Sequence, residues 1–392
     1  MTNSTASTPG HHEPGRGVLA DKATGALAGA AVGDALGGAA EGNTPEAIQE
    51  RYGGFIEGIV PPFLEDWRNA RPIAPYHKGD GHITDDTLMT QALVDVYDQV
   101  RDHLDAYAVD EYLVPLLVEE RRWIPELEAE ALLLHRIFLA EKWIVARLRY
   151  GHVDPREAGV GNIVNCGAAM YVAPIGIANA ADPGGAYAEA IDVTGAHQSS
   201  YGREAAGVFA ACVAEAIRPG ATVTSVVDAA LAVAHDGTRA AIEAVADAAS
   251  GLSDWRSSLR TLRAAVEPFD TVGPEYRSPA ADARRPSRTK SIEELPVAIG
   301  MIVLTGGDCR EAVLGGVNYG RVCDSIATMA GAITGALGGL AAVPEEWVTE
   351  VGEASRTDIV TPGLTMASVA SDIWKKDAER DRRRADARSA LQ

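Results

Sequence analysis

Thr24-Gly25-Ala26-Leu27-Ala28-Gly29-Ala30-Ala31-Val32-Gly33-Asp34-Ala35-Leu36-Gly37-Gly38-Ala39-Ala40-Glu41 is the stretch from which the fold can be read. Gly25, Gly29, Gly33 and Gly37 recur every fourth residue, and that spacing puts them on one helical face. Each glycine costs a helix roughly 1 kcal/mol relative to alanine, so the run makes sense where another backbone packs close against it. Ala330-Gly331-Ala332-Ile333-Thr334-Gly335-Ala336-Leu337-Gly338-Gly339 repeats the feature near the other end of the chain. Both segments are predicted to be helices at the centre of the fold, each a candidate partner for the other. The run Ala23–Ala40 is long, but Asp34 and the glycines interrupt it, so it reads as a buried helix and not as a membrane span.

The rest of the chain is also helical in pattern. Leu88, Ala92, Leu93 and Val96 mark one apolar face, as do Ile326, Met329, Ala330, Ile333 and Leu337. The segment 107–149 is rich in Leu, Ala and Glu and is broken at Pro125; helices over 204–217, 223–234 and 238–249 follow. No sustained alternation and no internal repeat occurs. The expected architecture is all-α: a compact single-domain helical bundle, although 392 residues alone would suggest two domains. Residues 1–16 are expected to be a disordered tail, 17–374 the helical domain, and 375–392 a charged tail that is either a solvated helix or frayed. Gly53–Gly81 and Pro268–Ser291 read as loops.

A net charge of −20 argues against generic binding to nucleic acid or to an anionic membrane. Cys166, Cys212, Cys309 and Cys323 lack C-x-x-C spacing, so no zinc or redox motif is readable and a reducing compartment is expected. The polar N-terminus has no apolar signal-peptide core, and the expected location is cytoplasmic.

Two short acidic segments open apolar helices: Thr84-Asp85-Asp86-Thr87 and Asp324-Ser325. Carboxylates beside hydroxyls form a hard oxygen set suited to Mg²⁺, Mn²⁺ or Ca²⁺. Helix capping is the competing reading for both, because Asp and Thr at a helix start satisfy free N–H groups and suit the dipole. Two adjacent aspartates repel unless a cation holds them, which goes beyond what a cap needs. Asp34, inside a helix that should be buried, needs hydrogen bonds or a cation, and Glu41 closes the same helix; a backbone-bonded Asp34 and a surface Glu41 are the plain alternative. Asn165-Cys166-Gly167 lies in a small-residue loop where a ligand could reach backbone N–H groups, or which is simply a tight turn before a core helix. His197 is either a structural hydrogen-bonder or a binding residue, and Cys323 reads as packing.

Together these segments resemble the ADP-ribosylglycohydrolase family. The matches run in the family's order: Gly33–Gly37 with Glu41, Thr84–Thr87, Asn165–Pro174, His197, Glu294-Leu295-Pro296 and Gly320–Gly335. The resemblance implies an all-α fold with a centre of one or two Mg²⁺ or Mn²⁺ ions. It implies metal ligands at Thr84, Asp85, Asp86, Asp324 and Ser325, with Glu41, Asp85 and Asp86 as catalytic carboxylates. It further implies substrate binding at Asn165, Cys166, Gly167 and His197, the pyrophosphate resting on backbone N–H groups near Asn165–Gly167. The implied reaction is hydrolysis of an N- or O-ribosyl glycosidic bond in a ribosylated small molecule or an ADP-ribosylated protein. Val322 departs from the pattern, because the family places an aspartate there; Asp34 or Asp308 is a candidate substitute. Two alternatives stand beside the hydrolase: a catalytically attenuated ligand-binding protein, favoured by Val322, and a scaffold redirected to specialised metabolism. The latter could include Mg²⁺-dependent diphosphate chemistry, although Asp85-Asp86-Thr87-Leu88-Met89 lacks a fifth-position acid.

Overall fold

The computed structural model describes residues 17–69, 76–269 and 290–392. The expected N-terminal tail lies outside them, as do 70–75 and 270–289 of the two expected loops. Six helices build the region round the site: α1 (Val18–Gly38), α2 (Asp85–Val100), α3 (Ser200–Ile217), α4 (Cys309–Tyr319), α5 (Cys323–Gly338) and α6 (Thr361–Ser389). Among the described residues the chain is all-α apart from one short hairpin, as its periodicity predicts.

From Asp21 onward every residue of α1 is buried. A helix that is apolar or small on all sides has no solvent face to offer and belongs at the centre. Its most extensive contact is with α5, and the glycines explain how the two approach. A methyl group on Gly29 would overlap the Gly331 carbonyl, one on Gly25 the Gly335 carbonyl, and one on Gly33 the Ala327 carbonyl. The two helices therefore meet backbone to backbone along three turns. α5 packs in turn on α4 and α3, while α6 covers another side of α1.

The stretch 107–149 departs from the helical expectation. Arg121–Ile124 (β1) and Ala129–Leu132 (β2) pair antiparallel, with Arg121 opposite Leu132 and Ile124 opposite Ala129. Pro125 cannot continue either a helix or the ladder, and Glu128 takes a left-handed conformation at φ 51°, so the chain reverses there. Tertiary contacts override the helix-forming composition: the turn carries Glu126 into the interior, where its side chain is fully buried.

The expected boundary at residue 375 falls inside α6, which runs unbroken to Ser389. Its far half is tied to the end of α2 by ion pairs: Arg101 Nη2 to Asp372 Oδ2 at 2.5 Å, Arg380 Nη2 to Asp102 Oδ2 at 2.6 Å, and His103 Nε2 to Asp377 Oδ2 at 3.0 Å. His103 also reaches Glu189 through Nδ1, and that hydrogen bond outweighs partial burial to push the imidazole up to about 9. No described helix is long and apolar enough to cross a membrane.

Two outcomes follow from this packing. Gly29→Val should lower stability by about 3 kcal/mol or more in chemical denaturation, because overpacking a backbone contact has no flexible side chain to displace. Gly184→Ala, a helical position where a methyl group meets only Asp182 Oδ1 at an ordinary 3.6 Å, should be neutral or slightly stabilising. His103 is charged in the fold to a higher pH than in the unfolded chain. Its contribution is therefore complete below about pH 6.5 and disappears as pH rises through about 9. The difference in thermal midpoint between the native chain and His103→Ala should shrink over that interval.

Candidate metal centre

Thr84 caps α2, its hydroxyl accepting from the Asp86 N–H at 3.4 Å, so the capping reading of this segment holds. It is not the whole account, since both aspartates of the first turn are buried. Asp34 organises the segment from below. Its Oδ2 accepts from the backbone N–H groups of Thr84 (2.9 Å) and Thr87 (3.1 Å), and its carboxylate takes both threonine hydroxyls at 2.5 Å. Asp34 is thus saturated by hydrogen bonds. Burial raises its carboxyl to about 6 against those bonds. Its role is to hold the acidic turn, so its oxygens are taken and it is not placed to serve as the substitute that the resemblance suggested for Val322. Asp308 is not either, because it caps α4 by accepting from the Glu311 N–H at 2.9 Å.

The second acidic segment begins α5. Val322 stands at its N-cap and makes no side-chain cap, while Asp324 Oδ1 accepts from the Ser325 N–H at 2.8 Å. The two remote segments meet directly: Ser325 Oγ donates to Asp86 Oδ2 at 2.9 Å. Gly37 permits the approach, because a methyl group there would strike the Asp324 backbone. Just beyond α1 the chain is pinned to the same turn. Gly42 N–H donates to the Arg321 carbonyl at 2.5 Å and Arg321 N–H to the Asn43 carbonyl at 2.7 Å. Arg321 accepts a left-handed φ of 61° to do so. That pairing sets Glu41 beside Asp324.

His77 lies between these carboxylates. Its Nε2 is 3.1 Å from Glu41 Oε2 and 3.4 Å from Asp324 Oδ2, and its Nδ1 is 3.6 Å from Glu126 Oε1. One ligand atom each of Glu41, His77 and Asp324 falls within 4.8 Å of the other two. Arg136, fully buried, enters the group from behind. Its Nη2 is 2.7 Å from His77 Nδ1, its Nη1 is 3.4 Å from Asp85 Oδ1, and its Nε pairs with Glu126. Burial opposes charge on this ring, but the hydrogen bonds and charges of Glu126 and Glu41 raise the imidazole well above its ordinary value, so Nε2 carries a proton toward Glu41 and Asp324. Tyr76 donates its phenol to Glu41.

The charges are strongly out of balance. Burial raises Asp86 well above the ordinary carboxylate range, with the charges of Asp324, Asp34 and Asp85 adding to it. Asp324 is raised likewise by burial and then by Glu41. Asp85 is raised by burial, with Arg136 opposing. Glu126 goes the other way: burial would raise it, but Arg136 and His77 together outweigh burial. Carboxylates so placed either share protons or hold a cation. The donor set, carboxylates with an imidazole and two hydroxyls, suits a divalent metal ion.

The predicted binding turn adjoins this group. Cys166 Sγ donates to Ser325 Oγ at 3.4 Å, and Asn165 Oδ1 accepts from the Gly167 N–H at 3.0 Å, which ties up one N–H expected to face a pyrophosphate. Gln198 holds the turn through Nε2, bonded to the Ile163 carbonyl at 3.0 Å and to Asn165. His197 is fully buried, stacked on Tyr171, with its Nδ1 3.1 Å from the phenol oxygen. Burial lowers its imidazole to about 3, so it is neutral. Cys323 is packing, as its sequence context suggests: it is buried and its Sγ donates to the Gly37 carbonyl.

His77, Glu126, Arg136 and Glu141 are absent from the sequence reading. Glu141 lies 3.6 Å from His197 Nε2 through Oε1, and burial, then the charge of Asp85, raises it to about 7. Only His77 carried a usable signal, a histidine in the loop seven positions before Thr84.

A helical scaffold with an acidic centre at two facing helix starts is the class that this geometry defines. The family model described as ADP-ribosylglycohydrolase matches residues 16–383, and the chain belongs to that family. Among curated proteins none matches. A solved structure titled "ADP-ribosylglycohydrolase-related protein complex" is similar at 19% identity and a TM-score of 0.58. The match covers 90% of this chain and 99% of that one, a likeness that shows the fold.

Asp34→Ala tests how the acidic turn is held. It leaves two buried N–H groups and two hydroxyls without their acceptor, at about 1–3 kcal/mol for each group not rescued by water. A markedly lower denaturation midpoint is expected.

Proposed function

We propose that this chain is a divalent-metal-dependent hydrolase that cleaves the ribosyl glycosidic bond of an ADP-ribosylated or related ribosylated substrate. The observation that carries the reading is the Ser325–Asp86 hydrogen bond, which closes two segments 239 residues apart into one carboxylate-lined centre. Membership of the ADP-ribosylglycohydrolase family supports the reaction class.

Asp85, Asp86, Asp324, Glu41 and His77 are the groups placed to hold the metal. When bound, the ion would act as a Lewis acid, orienting ribose hydroxyls and polarising a water. The protein's own side chains do the rest. Departure at the anomeric carbon builds positive charge on the ribose ring, and the surrounding carboxylates stabilise it. Glu41, with the Tyr76 phenol on one oxygen, is the group assigned to take the proton of the attacking water. Arg136 helps keep Glu126 ionised and opposes the rise that burial imposes on Asp85, without lending either a proton. The turn Asn165-Cys166-Gly167, with the neutral His197 behind it, is assigned to the phosphate-bearing end of the substrate.

Val322 favours a second reading, ligand binding with little turnover, because valine offers neither charge nor lone pair. The two are separated by one assay. Purified protein, supplied with Mn²⁺ or Mg²⁺, is offered ADP-ribosylated proteins and ribosylated small molecules, and release of ADP-ribose or ribose is followed. The hydrolase reading expects turnover that a chelator abolishes, with Asp86→Asn slower by on the order of 100-fold or more. Chelator-insensitive turnover would refute metal dependence. Tight binding without product, restored to turnover by Val322→Asp, would establish the second reading.

A further inference from the structure

Within the metal-dependent reading, on which this inference rests, we propose that His77 supplies the ligand that Val322 does not. The centre then becomes a mixed nitrogen–oxygen site, Glu41–His77–Asp324, that selects a first-row transition-metal dication over Mg²⁺. Val322 is 7% exposed at the start of α5 and offers no donor atom. His77 comes from a different element, the loop before α2. Its Nε2 already points between Glu41 Oε2 (3.1 Å) and Asp324 Oδ2 (3.4 Å), and the three donor atoms lie within the span that one ion can bridge. The side of the ring away from the carboxylates is braced. Glu126 Oε1 stands 3.6 Å from Nδ1, and is itself fixed by the Lys78 N–H at 2.8 Å and by Arg136. A carboxylate behind a histidine is the arrangement that orients metal-bound imidazoles and makes them better donors. The Phe138 ring, perpendicular to the imidazole at 5.9 Å between centroids, packs against it on another side.

An ion binding at Nε2 would displace the proton there to solvent, while the ring's other proton stays on Nδ1 beside Glu126. The selectivity follows from ligand chemistry. Mg²⁺ is hard and prefers oxygen and water, whereas imidazole nitrogen strengthens binding along the first transition row. An aspartate at position 322 would add an anionic oxygen; valine adds none, and the nitrogen of His77 weights the donor set toward transition metals.

The test uses the full chain and Mn²⁺ alone as probe. Mn²⁺ binding is measured by calorimetry and displacement by Mg²⁺ is followed. Pulsed electron paramagnetic resonance then reads nitrogen coupling to the bound ion, with ¹⁵N-histidine protein as the isotopic control. The inference expects a histidine nitrogen coupled to Mn²⁺ in the native chain, and Mg²⁺ displacing it only at large excess. In His77→Gln the coupling should vanish, with Mn²⁺ affinity falling at least by the ~10–100-fold that loss of a supporting group costs a metal site. Mn²⁺ bound without nitrogen coupling in the native chain, or coupling unchanged in His77→Gln, overturns the inference and leaves the metal-dependent reading intact. Absence of Mn²⁺ binding overturns both. If His77→Gln fails to fold, the native spectrum with its isotopic control still decides.

Discussion

Everything at the centre depends on how closely α1 and α5 approach. At Gly25, Gly29 and Gly33 the backbone of α1 lies against the backbone of α5 with no side chain between them. An ordinary helix pair, separated by its side chains, stands 8–10 Å apart. Removing the side chains forgoes apolar burial and lowers helix propensity, so the contact must be compensated by dense packing over its whole length. What it provides is position. Gly37, one turn further on, carries the same close approach up to the Asp324 backbone, and the loop beyond it pairs with residues 320–322. The acidic centre is set at the end of a rigid contact.

The centre itself is an electrostatic conflict that the fold sustains. Asp34, Asp85, Asp86 and Asp324 are buried with too few positive charges among them, and burial raises all four carboxyls. Structural groups limit the damage: threonines and backbone N–H groups saturate Asp34, Ser325 donates to Asp86, and Arg136 serves Asp85 and Glu126. The remaining excess of negative charge is the physical reason to expect a cation there, independent of any family likeness.

Much of this was legible in the sequence. Glycine at four-residue spacing has few explanations inside a helix, so the central pair could be named from two short stretches. Carboxylates beside hydroxyls at two helix starts pointed to one site, and the segments do touch. The hairpin over 121–132 was not legible, because its Leu, Ala and Glu residues carry helical propensity and its strands exist only where the rest of the protein supports them. For the same reason Glu126 and Arg136 were invisible: their importance comes from burial beside other charges, and burial at a turn leaves no periodic trace. His77 shows the limit most clearly. A histidine in a glycine-containing loop shortly before the acidic turn is a faint signal, and its role shows only when the loop is seen folded against Glu41 and Asp324.

The pairing of residues 41–43 with 320–322 has a bearing on biosynthesis. Chains emerge from the ribosome N-terminus first, and contacts between distant segments form only after both are made. The centre draws on Glu41, His77, the acidic turn of α2 and the start of α5, so it has no earlier, partial version. Until the residues of α5 leave the exit tunnel, α1 is a glycine-rich apolar segment lacking its partner. The nascent protein must be kept from aggregating through most of its translation, and the acidic centre can close only afterwards.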